Sequence, residues 1–155
     1  MAKETIAWSS AVIIENTRFG TIEIDEEKII RMPYSMPGFP GRKRCIWLER
    51  KESKPFLWYQ SVDEATLAFV VMSPYLFKPD YRIDLGPIIQ EMAWEEDGEA
   101  SLSIFVVVNA SRGAPEKMTA NLMAPLIINT RRFEALQKVF NDSPYSHQYP
   151  IFSET

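Results

Sequence analysis

Few side chains in this sequence could do chemistry, and they are poorly grouped. The one histidine, His147, lies in the polar stretch Asp142-Ser143-Pro144-Tyr145-Ser146-His147-Gln148. No catalytic motif supplies it with a nucleophile and an orienting partner, so it reads as a surface or hydrogen-bonded imidazole. The one cysteine, Cys45, precedes Ile46 and Trp47, where a thiol behaves as a small buried hydrophobe. One cysteine and one histidine cannot complete a common Cys/His zinc site, and a single cysteine forms no intrachain disulfide. Carboxylates gather in Asp25-Glu26-Glu27 and Glu95-Glu96-Asp97, but neither run has the spacing, glycine and terminal glutamate of a calcium loop. They read as solvated turns, or as surface that steers a basic partner. Nucleophile-elbow, P-loop, dinucleotide-binding and zincin motifs are all missing from the sequence. The expectation is a protein that is not an enzyme and uses no metal and no cofactor.

Charge points the same way. Seventeen basic against 21 acidic residues give a net charge of −4 and a pI near 5.1, which lacks the basic face of a nucleic-acid binder. The clusters Arg42-Lys43-Arg44 and Arg131-Arg132 are short enough to be solvated turns. No direct nucleic-acid contact is expected. The first ten residues carry one basic residue and no sustained apolar stretch, so they do not read as a signal peptide. The longest apolar runs, Leu67 to Met72 and Ile104 to Val108, are too short to span a bilayer. The expected setting is cytoplasmic, with no membrane contact, and no self-association pattern stands out, so the chain reads as a monomer.

What must position these residues is a series of short β-strands. Val12 to Thr17 and Thr21 to Asp25 flank Arg18-Phe19-Gly20, a hairpin with glycine available for positive φ. Ile22 and Ile24 alternate with polar neighbours, the period-two pattern of a strand with one wet face. Ile29 to Met32, Cys45 to Glu49, Phe56 to Ser61, Ala68 to Met72 and Tyr81 to Asp84 read as further strands. Leu102 to Val108 becomes apolar on both faces, which places it centrally in a sheet. Leu122 to Asn129 contains Pro125, so it must be an edge or carry a bulge there, and Leu136 to Phe140 is the last strand. A helix fits Pro87 to Trp94, with proline in its first turn, and a shorter turn fits Gly41 to Arg44. The fold class is therefore mainly β: a compact antiparallel β-barrel-like or sandwich domain with one or two short helices. Residues 1–16 are expected to be an N-terminal extension, partly ordered at best, and residues 17–152 a single β domain.

Two loops combine prolines with large apolar side chains. One is Met32-Pro33-Tyr34-Ser35-Met36-Pro37-Gly38-Phe39-Pro40 and the other is Pro74-Tyr75-Leu76-Phe77-Lys78-Pro79. Such loops either pack across an open barrel end or present an exposed protein-binding surface. A different function class is a barrel holding a small apolar or carbohydrate ligand in its mouth, with Trp8, Trp47, Trp58 and Trp94 as stacking surfaces or, equally, as core.

The ordered succession of several pieces carries a resemblance. They are Thr17-Arg18-Phe19-Gly20 with Ile22 and Ile24, Ile29-Ile30, Pro37-Gly38-Phe39, Phe56, Gln60-Ser61-Val62, and Leu67-Ala68-Phe69-Val70. Pro74-Tyr75-Leu76-Phe77 with Asp80-Tyr81 follows, then Thr119-Ala120-Asn121-Leu122-Met123-Ala124-Pro125 with Ile128-Asn129. The tail Ser143-Pro144-Tyr145-Ser146 and Pro150 completes the set. From about Thr17 to Phe152 the chain resembles the FliW family of bacterial flagellar assembly factors. It departs from that family at Ser35-Met36, where glycine and a branched aliphatic are expected, and at Gln148-Tyr149, where a basic residue and histidine are usual.

The resemblance implies a non-enzymatic β-barrel-like protein that binds flagellin and the translational regulator CsrA. Free of flagellin, such a protein captures CsrA and relieves its repression of flagellin messenger RNA. Glu23, Asp25, Glu26 and Glu27 are the expected acidic face toward CsrA. For an amphipathic flagellin helix the expected groove is formed by Met36, Pro37, Phe39 and Phe77, with Asn121 as a hydrogen-bonding contributor. Turn geometry and core packing account for the same five residues equally well.

Overall fold

The computed structural model describes residues 11–109 and 114–152. Alternating apolar residues build the strands in chain order. They are β1 (Ala11–Thr17), β2 (Gly20–Asp25), β3 (Ile30–Arg31), β4 (Arg44–Leu48), β5 (Leu57–Ser61) and β6 (Ala68–Met72). The helix α1 (Gly86–Met92) precedes β7 (Leu102–Asn109), β8 (Thr119–Ala120), β9 (Leu126–Asn129), β10 (Glu134–Gln137) and β11 (Tyr149–Pro150). Neighbouring strands from β3 to β7 pair in sequence, β7 pairs β9, β9 pairs β10, and β10 returns to β3. The result is a closed seven-strand barrel. All pairings are antiparallel except β10 with β3, which joins near the two ends of the chain. There the Arg31 backbone N–H donates to the Phe133 carbonyl at 2.9 Å.

Period two then sorts the side chains. Ile30, Cys45, Tyr59, Val71, Leu126 and Ile128 fill the barrel interior. Three outer layers cover much of the other face. The β1–β2 hairpin lays Ile14 and Ile24 on Ile46 of β4. The α1 segment lays Ile88 and Trp94 on Ile127 and Leu136, which explains why every residue of β9 is buried. The third layer sets Tyr81 and Leu122 against Met72, Val106 and Val108.

The expected mainly β fold is present, with one α-helix and several 3₁₀ turns among the described residues. Strand β7 is central, as its two-faced apolarity requires: it contacts β6 on one side and β8 with β9 on the other. The strand expected from Leu122 to Asn129 begins only at Leu126, and residues 121–125 leave the ladder as a multi-residue bulge between β8 and β9 that ends at Pro125. Three steps along β7, from Val108 to Phe105, face six from Ala120 to Leu126. Asn121 Oδ1 shapes this excursion by accepting the Met123 and Ala124 N–H groups, both at 3.1 Å.

Three expectations need correction. Tyr81 to Asp84 is not a strand, although burial still alternates there. Side chains satisfy that backbone instead of a ladder: Tyr145 Oη accepts the Arg82 N–H at 3.0 Å, and Asp84 Oδ1 accepts the Gly86 N–H at 3.0 Å. The last expected strand lies earlier, at Glu134–Gln137: Lys138 and Phe140 still donate in register to the Pro125 and Met123 carbonyls, but Pro125 has no N–H to return and the ladder stops there. The expected boundary at residue 17 falls inside the first hairpin, since β1 starts at Ala11 and pairs with Asp25. Residues 1–10, including Trp8, lie outside the described residues.

Candidate partner-binding site

The four acidic residues stand together at the base of the β1–β2 hairpin, but they do not play one part. Glu23 lies on the outward face of β2, paired across the ribbon with Ile13, which is 61% exposed. Asp25 is half-buried and acts as a cap: its Oδ1 accepts the Glu27 N–H at 3.0 Å and starts the 3₁₀ turn Glu26–Lys28. Glu26 and Glu27 are exposed and help line a cleft of about 300 Å³ with Ile29, Arg31, Arg44, Arg132 and Phe133.

The three guanidinium groups of this cleft are already answered. Arg31 meets Glu134 at 3.3 Å, Arg44 meets Asp63 at 2.9 Å, and Arg132 meets Asp97 at 2.6 Å. Partial desolvation pushes the Asp63 carboxyl up, but the Lys43 and Arg44 N–H groups and the Arg44 charge outweigh it and hold it below the ordinary value. Desolvation likewise opposes ionisation at Asp97, and the Arg132 and Asn129 hydrogen bonds outweigh it. Each arginine of the cleft thus meets a carboxylate outside the run Asp25-Glu26-Glu27.

The expected flagellin groove is not assembled. Met36 is 4% exposed and belongs to the barrel interior, and Phe39 packs edge-on against Phe69 at 5.2 Å. Pro37-Gly38 forms the tip between them, with Gly38 at φ +90° and the Phe39 N–H donating to the Met36 carbonyl at 2.8 Å. Pro37 alone of these three is exposed. Phe77 belongs to a different cluster, where it stacks on Tyr149 at 5.7 Å. Asn121 spends its side-chain oxygen on the bulge. Core packing and turn geometry, not a shared groove, place Met36, Phe39, Phe77 and Asn121.

Apolar surface is instead offered by Tyr75 and Leu76 in the same proline-rich loop as Phe77. In the 3₁₀ turn Pro74–Leu76, Ser73 Oγ caps the Tyr75 N–H at 3.3 Å, and Tyr75 and Leu76 are left 41% and 61% exposed. Beside them, clefts of about 400 and 390 Å³ flank the extended segment at Arg82 and Ile83. Tyr75 and Ile104 line the first, and Val139 and Tyr145 the second. The signal in the sequence is the loop Pro74-Tyr75-Leu76-Phe77 itself, in which Phe77 turns inward and Tyr75 and Leu76 outward.

Residues 13–151 match the family described as FliW protein. A flagellar assembly factor FliW of Syntrophus aciditrophicus (strain SB) is 39% identical over 138 residues, covering 89% of this chain and 86% of that one. That of Bacillus subtilis (strain 168) is 35% identical over 144 residues, covering 93% and 99%. The chain belongs to the FliW family. A crystal structure of a flagellar assembly factor FliW superposes with a TM-score of 0.84 at 29% identity, covering 93% of this chain and 99% of the other. The FliW barrel is thus shared along nearly the whole chain.

Within this FliW-family protein the residues first considered for chemistry are otherwise occupied. Burial pushes the Cys45 thiol up to about 12, which keeps it protonated against Tyr59 inside the barrel. His147 is exposed. Trp94 is buried with Nε1 donating to Glu134 at 2.9 Å, and Trp47 packs edge-on against Phe105 at 5.7 Å. Among the described residues, no group of three or more His, Cys, Asp or Glu is placed to hold a metal ion, and no helix is long and apolar enough to cross a membrane.

Proposed function

We propose that this flagellar assembly factor binds flagellin and CsrA in the cytoplasm, and that capture of CsrA in the absence of flagellin relieves repression of flagellin messenger RNA. The match to flagellar assembly factors over residues 13–151 carries the reading. The protein acts by occupying its partners, not by transforming them. A protein that binds CsrA and disfavours its RNA complex is disfavoured by RNA to the same degree.

The exposed carboxylates Glu23, Glu26 and Glu27 support an acidic contact with a basic regulator, with Asp25 as the cap that fixes the turn. Their charge also repels RNA phosphate near the bound regulator. Flagellin's amphipathic segment is assigned to the apolar surface at Tyr75 and Leu76 and the adjoining clefts, in place of the buried Met36 and the partly buried Phe39. The small-ligand reading finds no support in the barrel interior, which side chains fill.

Mixing purified chain with flagellin, CsrA and a flagellin leader RNA, singly and together, tests the reading. Capture of both proteins, with RNA released as the chain is added, is the expected result. Indifference to both proteins at micromolar concentration would falsify it. Replacing Glu23, Glu26 and Glu27 by Gln should slow CsrA association and flatten its salt dependence. Unchanged values in both measurements remove the acidic ridge from the interface.

A further inference from the structure

The other end of the same hairpin carries the opposite charge and a different construction. Thr17 Oγ1 donates to the Gly20 carbonyl at 2.6 Å and accepts the Phe19 N–H at 3.0 Å, which locks the β1–β2 turn. The locked turn projects Phe19 onto Trp58 of β5, edge to face at 5.4 Å. Arg18 lies over the Trp58 ring at 4.1 Å, and Arg50, just beyond β4, lies over Phe19 at 4.3 Å. The two rings thus meet edge to face with one guanidinium laid over each. The loop after Arg50 adds Lys51 and Lys54, both exposed, and Ser53 Oγ ties that loop down by donating to the Arg50 carbonyl at 3.2 Å.

What sets these cations apart is their grouping around two packed rings. Arg31, Arg42, Arg44, Arg132, Lys78 and Lys138 each meet a carboxylate. Among the described residues, Arg18, Arg50, Lys51 and Lys54 form no ion pair, although Glu49 and Glu52 lie in the same loop. Lys28, Lys43, Arg82 and Arg131 share that absence. A guanidinium stacked on a ring loses side-chain freedom while keeping its in-plane N–H donors, the geometry that receives a carboxylate. We infer that the hairpin tip is a docking surface for an acidic protein segment, engaged by Arg18, Arg50, Lys51 and Lys54. Nucleic acid fits less well. Both rings already carry a guanidinium, so neither offers an open platform for a base.

The surface is separate from the acidic ridge and from the clefts, and it does not depend on either partner proposed above. Its test is a heteronuclear NMR titration of the full chain with hexaglutamate peptide at low salt. The Phe19 amide and Trp58 indole resonances should move, and high salt should reverse the shifts. Arg50→Gln should weaken binding about threefold, the scale of one exposed charge pair. Because that variant also removes a packing contact, a Lys51→Glu, Lys54→Glu double variant provides the second reading. It should weaken binding at least as much while leaving the Trp58 indole resonance of the free protein in place. Absence of shifts at millimolar peptide overturns the inference. So does unchanged affinity in the double lysine variant, or tighter binding of a six-nucleotide single-stranded RNA at the same resonances.

Discussion

The loops 33–40 and 74–79 share prolines and large apolar side chains, yet one turns inward and the other outward. In the first, Ser35 at φ +59° and Gly38 at φ +90° fold the chain back so that Met36 and Phe39 meet and enter the barrel. In the second, Ser73 caps a 3₁₀ turn that directs Phe77 inward and leaves Tyr75 and Leu76 in solvent. Backbone sign and capping, rather than composition, decide which apolar side chain is core and which is available to a partner.

The sharpest way to break this contrast is to shorten one apolar residue in each loop. Met36→Ala should cost about 2–4 kcal/mol through the cavity it leaves, read as a lower denaturant midpoint. Leu76→Ala should stay within about 0.5 kcal/mol while weakening flagellin binding. A destabilised Leu76→Ala protein, or one that binds flagellin normally, removes the proposed contact. Next in size is Tyr81→Phe. The Tyr81 hydroxyl donates to the buried Leu122 carbonyl at 2.7 Å and ties the segment after the outward loop to the bulge. Its loss should cost about 1–2 kcal/mol by leaving that carbonyl unpaired.

A smaller effect, of opposite sign, is expected in the inward loop. Ser35→Gly relieves a left-handed residue at a position where the family resemblance calls for glycine. A gain of up to about 1 kcal/mol in chemical denaturation should result, offset in part by the entropy of glycine in the unfolded chain. The smallest effect concerns pH. Lys78 Nζ meets Asp80 Oδ1 at 3.0 Å and holds the Asp80 carboxyl below its ordinary 3.8. A depressed carboxyl contributes stability above its unfolded value and loses it as pH falls through the folded one. Below about pH 4, amide resonances of Tyr75 and Leu76 should therefore shift before those of Met36 and Phe39, and Asp80→Asn should abolish the difference.

Much of the fold was legible because strands advertise themselves locally. Ile22 and Ile24 alternate with polar neighbours and form β2, while the apolar run at Val106 to Val108 marks a strand covered on both sides. Pro125 announced its bulge because it cannot donate to a ladder. Tyr81 to Asp84 alternated just as clearly but lacks a partner strand, and alternation alone cannot supply one. Ala93 and Phe133 adopt φ +58° and +54°, unmarked by glycine; Ala93 is the left-handed cap that ends α1. At the site, the acidic run was legible as charge, but not the division of labour that makes Asp25 a cap and Glu23 and Glu26 surface. The cluster of Arg18, Phe19, Trp58 and Arg50 joins three separate stretches of chain and had no local signature.

From the sequence alone came a mainly β fold, the interruption at Pro125, the poverty of catalytic groupings and the family resemblance. The first three rest on composition or on residues within a few positions of one another, where side-chain period and proline geometry act. The resemblance rests on the order of such local pieces along the chain. The tertiary structure decided barrel closure and the fate of the two apolar loops. Closure depends on groups such as Arg31 and Glu134, which meet across 103 positions of chain. Burial is a property of the completed surface, so no local pattern could tell which of two similar loops would end inside it.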